Sequence, residues 1–492
     1  MKRIPSVAAM FFIGWCAASA EAGNDPEHYT AEALNADLDQ LYETLKIAHA
    51  DLFIEVSEAA YDAEHARIRE QLDRRMARDE VLALFQQFVA FGRVAHARIE
   101  EAAAAFERYR EAGGAYLPLS VRIREGRAFV DAYRGSVLQP GDEILAIDEM
   151  QLPALLRAMR RHQSADTDYL AHTMLEWQFP RLLWQLFPER KTFRARFRRD
   201  GEVLEATLPT LTRAQSSEIA ESRPADDRLE LSWTEREFRL IDDSLGYLRP
   251  GPFYNVKGDA LWDNAKFVAF IDDAFGQLIE KRVPALVIDI RDNPGGDVSF
   301  SDPMITWFAD KPFGFSSHFE VRVSQPAIEA NAKRLASGND NDTSKRYARE
   351  YATREAGETF RLEMPRVEPR EGERYPGDVY VLVNRRSFSN ATTAAALVQD
   401  HDFATVIGEE TADLATTLGA MEDFTLDNTG IVVGFPKAMI VRASGDERRR
   451  GVVPDIAIET PLIETADDPV LTKAIAIIEQ RSEPSAWRTG EN

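Results

Sequence analysis

Cysteine is almost absent from this sequence. Cys16 is the only cysteine among 492 residues, and it lies in the N-terminal stretch MKRIPSVAAMFFIGWCAASAEAG. A basic start, a short apolar run and small residues in A-x-A patterns are typical of a cleaved secretory signal. We expect residues 1–22 to be that signal, with cleavage after Ala22 or alternatively after Ala20. The mature chain would then have no cysteine, which excludes disulfides, cysteine nucleophiles and thiolate metal sites.

Long apolar runs and an excess of positive charge are missing as well. Beyond the N-terminal stretch, no segment approaches 18 consecutive apolar residues. We therefore expect no stable membrane insertion after signal cleavage, and an exported protein, periplasmic or extracellular. The formal net charge is −23, which argues against nucleic acid or an anionic membrane as the main partner.

Hydrophobic periodicity changes twice along the chain. Residues 24–112 carry apolar residues at three- and four-residue spacing and predict a helical N-terminal domain. Residues 113–212 alternate like strands, including a hairpin around Asp200 and Gly201. The polar stretch 212–235 is then interpreted as a linker.

From residue 235 to 480, short apolar strands alternate with helical stretches. This order predicts a largely parallel α/β core. Residues 312–375 are polar and rich in charge, and we interpret them as a partly helical insertion over that core. The predicted fold class is therefore α/β.

Two serines lie where the apolar run DVYVLV meets an alanine-rich helical stretch. Ser387 and Ser389 both stand close to the predicted start of that helix. Serine is a preferred residue there because its hydroxyl caps a free backbone N–H, so a purely structural role is the first interpretation. A nucleophilic serine needs in addition a base, an oxyanion site and a strand-to-helix turn that presents its oxygen.

A second informative stretch is ALVIDIRDNPGGDVSF. Its strand ends near Asp289, and paired glycines, Gly295 and Gly296, follow in a turn. Glycines at the end of a strand let backbone N–H groups approach a ligand, although an ordinary turn fits as well. A dinucleotide-binding loop fits less well because the G-x-G-x-x-G spacing is absent.

The stretch LQPGDEILAID in the second region is similar to part of a PDZ domain. A Gly-Leu-Gly-Phe carboxylate-binding loop is not evident near AYLPLSV, so capture of a peptide C-terminus is doubtful. The matching positions are Leu138, Gly141, Asp142, Ile144, Leu145 and Asp148.

Together these stretches resemble the tail-specific (C-terminal-processing) protease and tricorn-core family of serine peptidases. The motifs occupy residues 291–296, 381–389, 406–411 and 451–456, in the family's order. The resemblance implies a crotonase-like β/α superhelical catalytic core, a PDZ-like β domain at 113–212 and the helical N-terminal domain. It also implies serine endopeptidase activity on peptide or protein substrates, with no cofactor and no metal.

The same resemblance assigns roles to individual residues. Ser389 aligns with the nucleophile, and Ser387 becomes a turn residue. The oxyanion hole carries over as the N–H of Asn390 plus that of Gly295 or Gly296. The N–H after the nucleophile lies in the first turn of a helix, where it has no intrahelical partner.

The proton acceptor separates two branches of the family. The better-known branch uses a lysine and a glutamine where this chain has Leu414 and Leu418. The tricorn-like branch uses a histidine before the PDZ domain, and His96 in GRVAHARI stands there. An imidazole with an ordinary pKa of about 6.5 accepts a proton at neutral pH, so we expect one ionisation in the neutral range.

Two further interpretations accompany this assignment. Glu447 stands where the tricorn-like branch has a glutamate, but a solvated turn charge beside three arginines fits it equally. A non-catalytic ligand- or peptide-binding protein on the same scaffold is the main alternative, because retinoid-binding proteins of the eye are built from related modules. A PDZ-type adaptor is a weaker alternative, since the carboxylate-binding loop is missing.

Overall fold

The computed structural model describes residues 28–222, 228–256, 260–336 and 342–481. The predicted signal peptide at 1–22, with Cys16, lies outside the described residues. Within the described ranges, no helix is both long enough and apolar enough to cross a membrane.

Helices occupy most of the N-terminal region and alternate with strands after residue 245. Their bounds are α1 (Ala31–Ala48), α2 (Glu58–Arg69), α3 (Arg78–Phe91), α4 (Glu101–Glu111), α5 (Leu152–Arg160), α6 (Asp168–Leu186), α7 (Arg213–Glu221), α8 (Ala265–Glu280), α9 (Val298–Ile305), α10 (Gln325–Ala336), α11 (Asp342–Tyr351), α12 (Asn390–Asp400) and α13 (Pro469–Arg481).

The strands form four sheets. Their bounds are β1 (His28–Tyr29), β2 (Met76–Ala77), β3 (Leu119–Arg124), β4 (Arg127–Tyr133), β5 (Glu143–Ile147), β6 (Met150–Gln151), β7 (Thr192–Arg199), β8 (Glu202–Pro209), β9 (Glu237–Leu240), β10 (Leu245–Arg249), β11 (Ala285–Asp289), β12 (Ser316–Arg322), β13 (Thr359–Arg361), β14 (Asp378–Val383), β15 (Thr405–Gly408), β16 (Thr417–Thr425), β17 (Val432–Arg442) and β18 (Ile456–Ala457).

The central sheet has the order β18-β15-β14-β11-β10-β9 and is parallel except for its edge strand β9. Helices cover both faces: α8, α9 and α12 pack on one, and α13 packs on the other. A sheet buried on both faces explains why β11 is apolar almost throughout rather than alternating. The predicted mixed α/β fold with a parallel core is confirmed.

The N-terminal helices pack against a different sheet, of order β13-β12-β17-β16. Leu418, Val433 and Phe435 from β16 and β17 belong to the same apolar cluster as the helical side chains. The backbones also pair directly, since Arg98 and Gly434 exchange N–H···O bonds of 3.0 and 2.8 Å. This pairing fixes the chain just after His96 relative to the core.

Residues 119–209 form a third unit, in which the order β3-β4-β5-β7-β8 is packed against α5 and α6. The hairpin between β7 and β8 turns at Asp200 and Gly201, both with positive φ (50° and 87°), as the sequence predicts. The long helix α6 is not evident from the strand-like pattern around it.

Two segments differ from their sequence interpretation. The polar stretch interpreted as a linker begins with a helix, α7, because Thr212 and Gln215 form a reciprocal capping box. The insertion at 312–375 is partly helical, as predicted. It also supplies β12 to the sheet with β17 and carries its own apolar cluster around Phe319, Val321 and Tyr347.

Candidate active site

The carboxyl ends of three neighbouring parallel strands bring the sequence motifs together. Asp289, at the end of β11, pairs with Leu382 near the end of β14, and Val383 pairs with Gly408 at the end of β15. The loops that follow these strands therefore start side by side at one edge of the sheet. That edge is where ligands of open α/β sheets bind.

Ser389 stands at the joint between β14 and α12 in a strained backbone conformation. Its φ is 53° and its ψ is −122°, a region that non-glycine residues rarely adopt. A sharp strand-to-helix turn of this kind presents a nucleophilic oxygen in other hydrolase folds. Its side chain makes no capping hydrogen bond, so the structural interpretation of this hydroxyl finds no support.

Ser387 has a different environment. It is fully buried, its hydroxyl donates to the carbonyl of Ile290 at 2.8 Å, and it accepts the N–H of Asn384 at 3.1 Å. The hydroxyl of Ser387 therefore ties two loops together, which is the turn role expected for it.

The Gly295–Gly296 turn lies directly against the segment that carries Ser389. The N–H of Phe388 donates to the carbonyl of Asn293 at 3.0 Å. A Cβ placed on Gly295, whose φ is 88°, would lie 2.7 Å from the nitrogen of Asn390 and 2.8 Å from the Cβ of Ser389. Only a glycine fits at this approach.

The backbone donors around Ser389 are not equivalent. The N–H of Gly295 donates to the Oδ1 atom of Asn293 at 2.8 Å. Within the described part of the chain, the N–H groups of Gly296 and Asn390 have no protein acceptor. Of the three N–H groups predicted for the oxyanion hole, that of Gly295 is therefore engaged, whereas those of Asn390 and Gly296 have no described acceptor.

His96 lies in the turn after α3, buried against Phe388, the residue before Ser389. Its ring stacks on Phe388 with centroids 5.9 Å apart and an interplanar angle of 22°. A hydrogen bond to the backbone of Leu418 engages the ring, and Nδ1 is buried with no partner among the described residues. No direct hydrogen bond joins His96 and Ser389 in the described contacts.

The environment of His96 changes one expectation. Burial, reinforced by the positive charge of Arg98, lowers the pKa of His96 to about 4. The ionisation expected in the neutral range therefore moves into the acid range. Sequence alone could not give this result because the shift depends on tertiary burial.

Glu447 does not contact the other site residues. It is exposed and has no hydrogen bond or ion pair among the described contacts, so its catalytic role stays a prediction. Leu414 is 3% exposed where the other branch has its lysine. Lys437, the first lysine after Ser389, is buried in an ion pair with Glu422, which makes it unavailable as a base.

The structure adds two buried carboxylates that the sequence motifs do not indicate. Asp413 follows β15, and its Oδ2 atom accepts the N–H of Ser389 at 2.6 Å. Asp166 accepts the N–H of Ala95, next to His96, at 3.1 Å. In the sequence, Asp413 is marked only by its position directly before Leu414, in the segment that follows an apolar strand.

Residues 246–458 match the family model described as peptidase family S41. The chain carries a peptidase family S41 domain. This finding confirms the family suggested by the ordered motifs. A domain of this family is a serine-type peptidase, a hydrolase whose substrates are peptides or proteins.

Solved structures show the same fold. Mature CPAF is 15% identical, with a TM-score of 0.60 over 87% of this chain and 92% of CPAF. CPAF in complex with lactacystin is also 15% identical, with a TM-score of 0.59 over 92% of this chain and 97% of that one. At such identity the likeness shows the fold alone.

One curated relative matches a part of the chain. An uncharacterized protein of Chlamydia muridarum (strain MoPn / Nigg) is 24% identical over 173 residues. The match covers 28% of this chain and 29% of that protein, which is less than a third of either.

Proposed function

We propose that this chain is an exported serine endopeptidase that cleaves peptide bonds through an acyl-enzyme formed on Ser389, with His96 as general base. The catalytic core would be crotonase-like, and residues 113–212 a PDZ-like domain. The observation that carries the proposal is the backbone of Ser389, held in a strained strand-to-helix turn with its hydroxyl free of capping.

The proposed reaction begins with attack of the Ser389 oxygen on a peptide carbonyl. The proton of the hydroxyl passes to a neutral ring nitrogen of His96, for which the unpartnered Nδ1 is the open acceptor. Negative charge develops on the carbonyl oxygen, and the free N–H groups of Asn390 and Gly296 can bind it. His96 then returns the proton to the leaving amine, and water hydrolyses the acyl-enzyme.

Burial of His96 favours the neutral imidazole that this step requires. It also makes the imidazolium formed during attack costly, so a negative partner near the ring would assist the reaction. Glu447 remains our prediction for that partner, although its side chain is exposed here.

Labelling with a serine-reactive fluorophosphonate, followed by peptide mapping, tests the nucleophile. We expect the label on Ser389 in the wild type and in Ser387→Ala, and none in folded Ser389→Ala. Because Ser389 makes no cap bond, its replacement by alanine should leave the melting temperature nearly unchanged. Turnover of a peptide substrate by folded Ser389→Ala would end the assignment.

A non-catalytic binding protein on the same scaffold is the second candidate. The lack of a direct hydrogen bond between His96 and Ser389 favours it. Lactacystin, which the solved CPAF complex contains, provides a second probe beside the fluorophosphonate. A protein that binds peptides but reacts with neither compound would belong to this second class.

A further inference from the structure

Asp413 holds the backbone of the proposed nucleophile through a hydrogen bond. Its side chain is 1% exposed, and its Oδ2 atom accepts the N–H of Ser389 at 2.6 Å. Its own carbonyl accepts the hydroxyl of Thr411 at 3.0 Å, which fixes the segment that carries it. The carboxyl is thus a fixed acceptor rather than a mobile surface group.

The hydrogen bond to Ser389 stabilises a conformation that is unfavourable by itself. A serine at φ 53° and ψ −122° persists only when its surroundings hold it. Its side chain supplies no cap, so the N–H of Ser389 would lack a described partner without the carboxyl of Asp413. An unpaired N–H at this half-buried position is unfavourable, and a small rotation of the Ser389 backbone would relieve it.

Asp166 likewise holds the backbone of the segment that carries the proposed base, His96. It is 4% exposed and accepts the N–H of Ala95, the residue before His96, at 3.1 Å. Its other oxygen binds the guanidinium of Arg449 at 2.7 Å, and Arg449 also binds Glu55 at 2.6 Å. One buried ion pair therefore connects the turn of His96 to the loop after β17.

The two carboxyls are close enough to influence each other. The charge of Asp166 adds to burial in raising the pKa of Asp413 to about 7, while hydrogen bonds from Ser389 and Leu414 oppose the rise. The nucleophile and the base are thus each fixed through a backbone N–H, by acceptors that belong to one buried group of charges.

We propose that Asp413 and Asp166 are positioning residues, which hold Ser389 and the turn of His96 in register for proton transfer. The inference rests on the proposed function. Neither carboxyl has a described hydrogen bond to the Ser389 hydroxyl or to the His96 ring. Asp413 acts through the backbone of Ser389, and Asp166 acts through that of Ala95, the residue before His96. An asparagine can keep the required acceptor oxygen without the charge, whereas an alanine keeps neither. Comparing the two variants therefore distinguishes the effect of the hydrogen bond from the effect of the negative charge.

The test compares Asp413→Ala and Asp413→Asn with the wild type, using a peptide substrate and the fluorophosphonate. We expect Asp413→Ala to lower kcat about 10²-fold with KM changed less than about threefold, because a displacement near 1 Å has an effect of this size. Asp413→Asn should restore kcat to within about threefold. Asp166→Ala and Asp166→Asn should follow the same pattern.

Asp37 provides a matched control. It is also fully buried and accepts two backbone N–H groups, from Asn428 at 3.0 Å and Thr429 at 2.8 Å, where α1 packs on the turn between β16 and β17. Asp37→Ala should lose stability with kcat unchanged. If Asp413→Ala does not fold, Asp413→Leu replaces it, since leucine removes the acceptor and keeps the branched shape of the side chain without leaving a cavity.

Hydrogen exchange at the amide of Ser389 separates this inference from the reaction itself. We expect exchange at least about tenfold faster in Asp413→Ala than in the wild type, and protection in Asp413→Asn, whether or not the protein turns over substrate. A wild type that resists the fluorophosphonate would overturn the peptidase assignment alone. Unchanged kcat and exchange in folded Asp413→Ala, or a kcat in Asp413→Asn as low as in the alanine variant, would overturn the positioning role.

Discussion

Replacing Gly295 by alanine should disable the site without unfolding the protein. The new methyl group would lie 2.5 Å from the carbonyl oxygen of Phe388 and 2.7 Å from the nitrogen of Asn390. Ordinary carbon–oxygen contacts are closer to about 3.5 Å, so the nucleophile turn must move by about 1 Å. The three nearest atoms are two backbone atoms and the Cβ of Ser389, and none of them is the far end of a flexible side chain that could absorb the movement.

The expected loss follows from that displacement. A shift of about 1 Å in a catalytic group lowers the rate about 10²-fold, and loss of one oxyanion donor lowers it about 10²–10³-fold. We therefore expect kcat to fall at least about 10²-fold. The strain of an alanine at φ 88° adds about 1–2 kcal/mol of lost stability.

Gly126→Ala is the matched control for backbone strain. Gly126 has a φ of 73° in the turn between β3 and β4, and a Cβ there would meet nothing within 4 Å. It should lose the same 1–2 kcal/mol or less and keep full activity. The assay is kcat and KM on a peptide substrate together with thermal unfolding of both variants. Turnover within about threefold of the wild type in folded Gly295→Ala would refute the geometry argued for this turn.

Three further predictions concern ionisable groups. Because the pKa of His96 is lowered to about 4, kcat/KM attributable to the imidazole should stay level down to about pH 5 and fall below it, and folded His96→Ala should lose activity at every pH. The pKa of Asp413 is raised from 3.8 to about 7, so folding takes up a proton and the free energy of unfolding falls as pH rises from about 4 to 7. Asp413→Asn should remove up to about 4 kcal/mol of that fall. Denaturant unfolding at pH 4 and pH 8 measures it. Glu176→Ala should destabilise the fold by about 3–5 kcal/mol, because Glu176 is 1% exposed and binds Arg385 and Arg386 at 2.8 and 2.9 Å. An unchanged denaturant unfolding curve would contradict this.

Features that depend on local pattern could be predicted from the sequence. The strands β11 and β14 are short apolar runs with clear ends, and the glycine pair and Ser389 follow them at once. Parallel strands place their carboxyl ends together, so the meeting of these loops follows from the order of elements. Ser387 and Ser389 could be told apart only through the family resemblance, and their different hydrogen bonds now give a physical reason.

Features that depend on distant contacts could not be predicted. Asp413 and Asp166 accept backbone N–H groups from segments far away in sequence, and no local periodicity marks such an acceptor. The pKa of His96 depends on burial among side chains from several elements. The insertion was interpreted from its polarity, whereas β12 within it pairs with β17 and completes a sheet.

The replacement of a lysine by Leu414 has a consequence for how the site is assembled. A lysine at that position would lie in the same α/β core as Ser389, so one domain would carry the whole machinery. Here the proposed base comes from the N-terminal region, which reaches the core through the pairing of Arg98 with Gly434 and the apolar cluster on β16 and β17. The proposed site would therefore be complete only when those helices are docked on the sheet, and local loosening of that interface would separate His96 from Ser389.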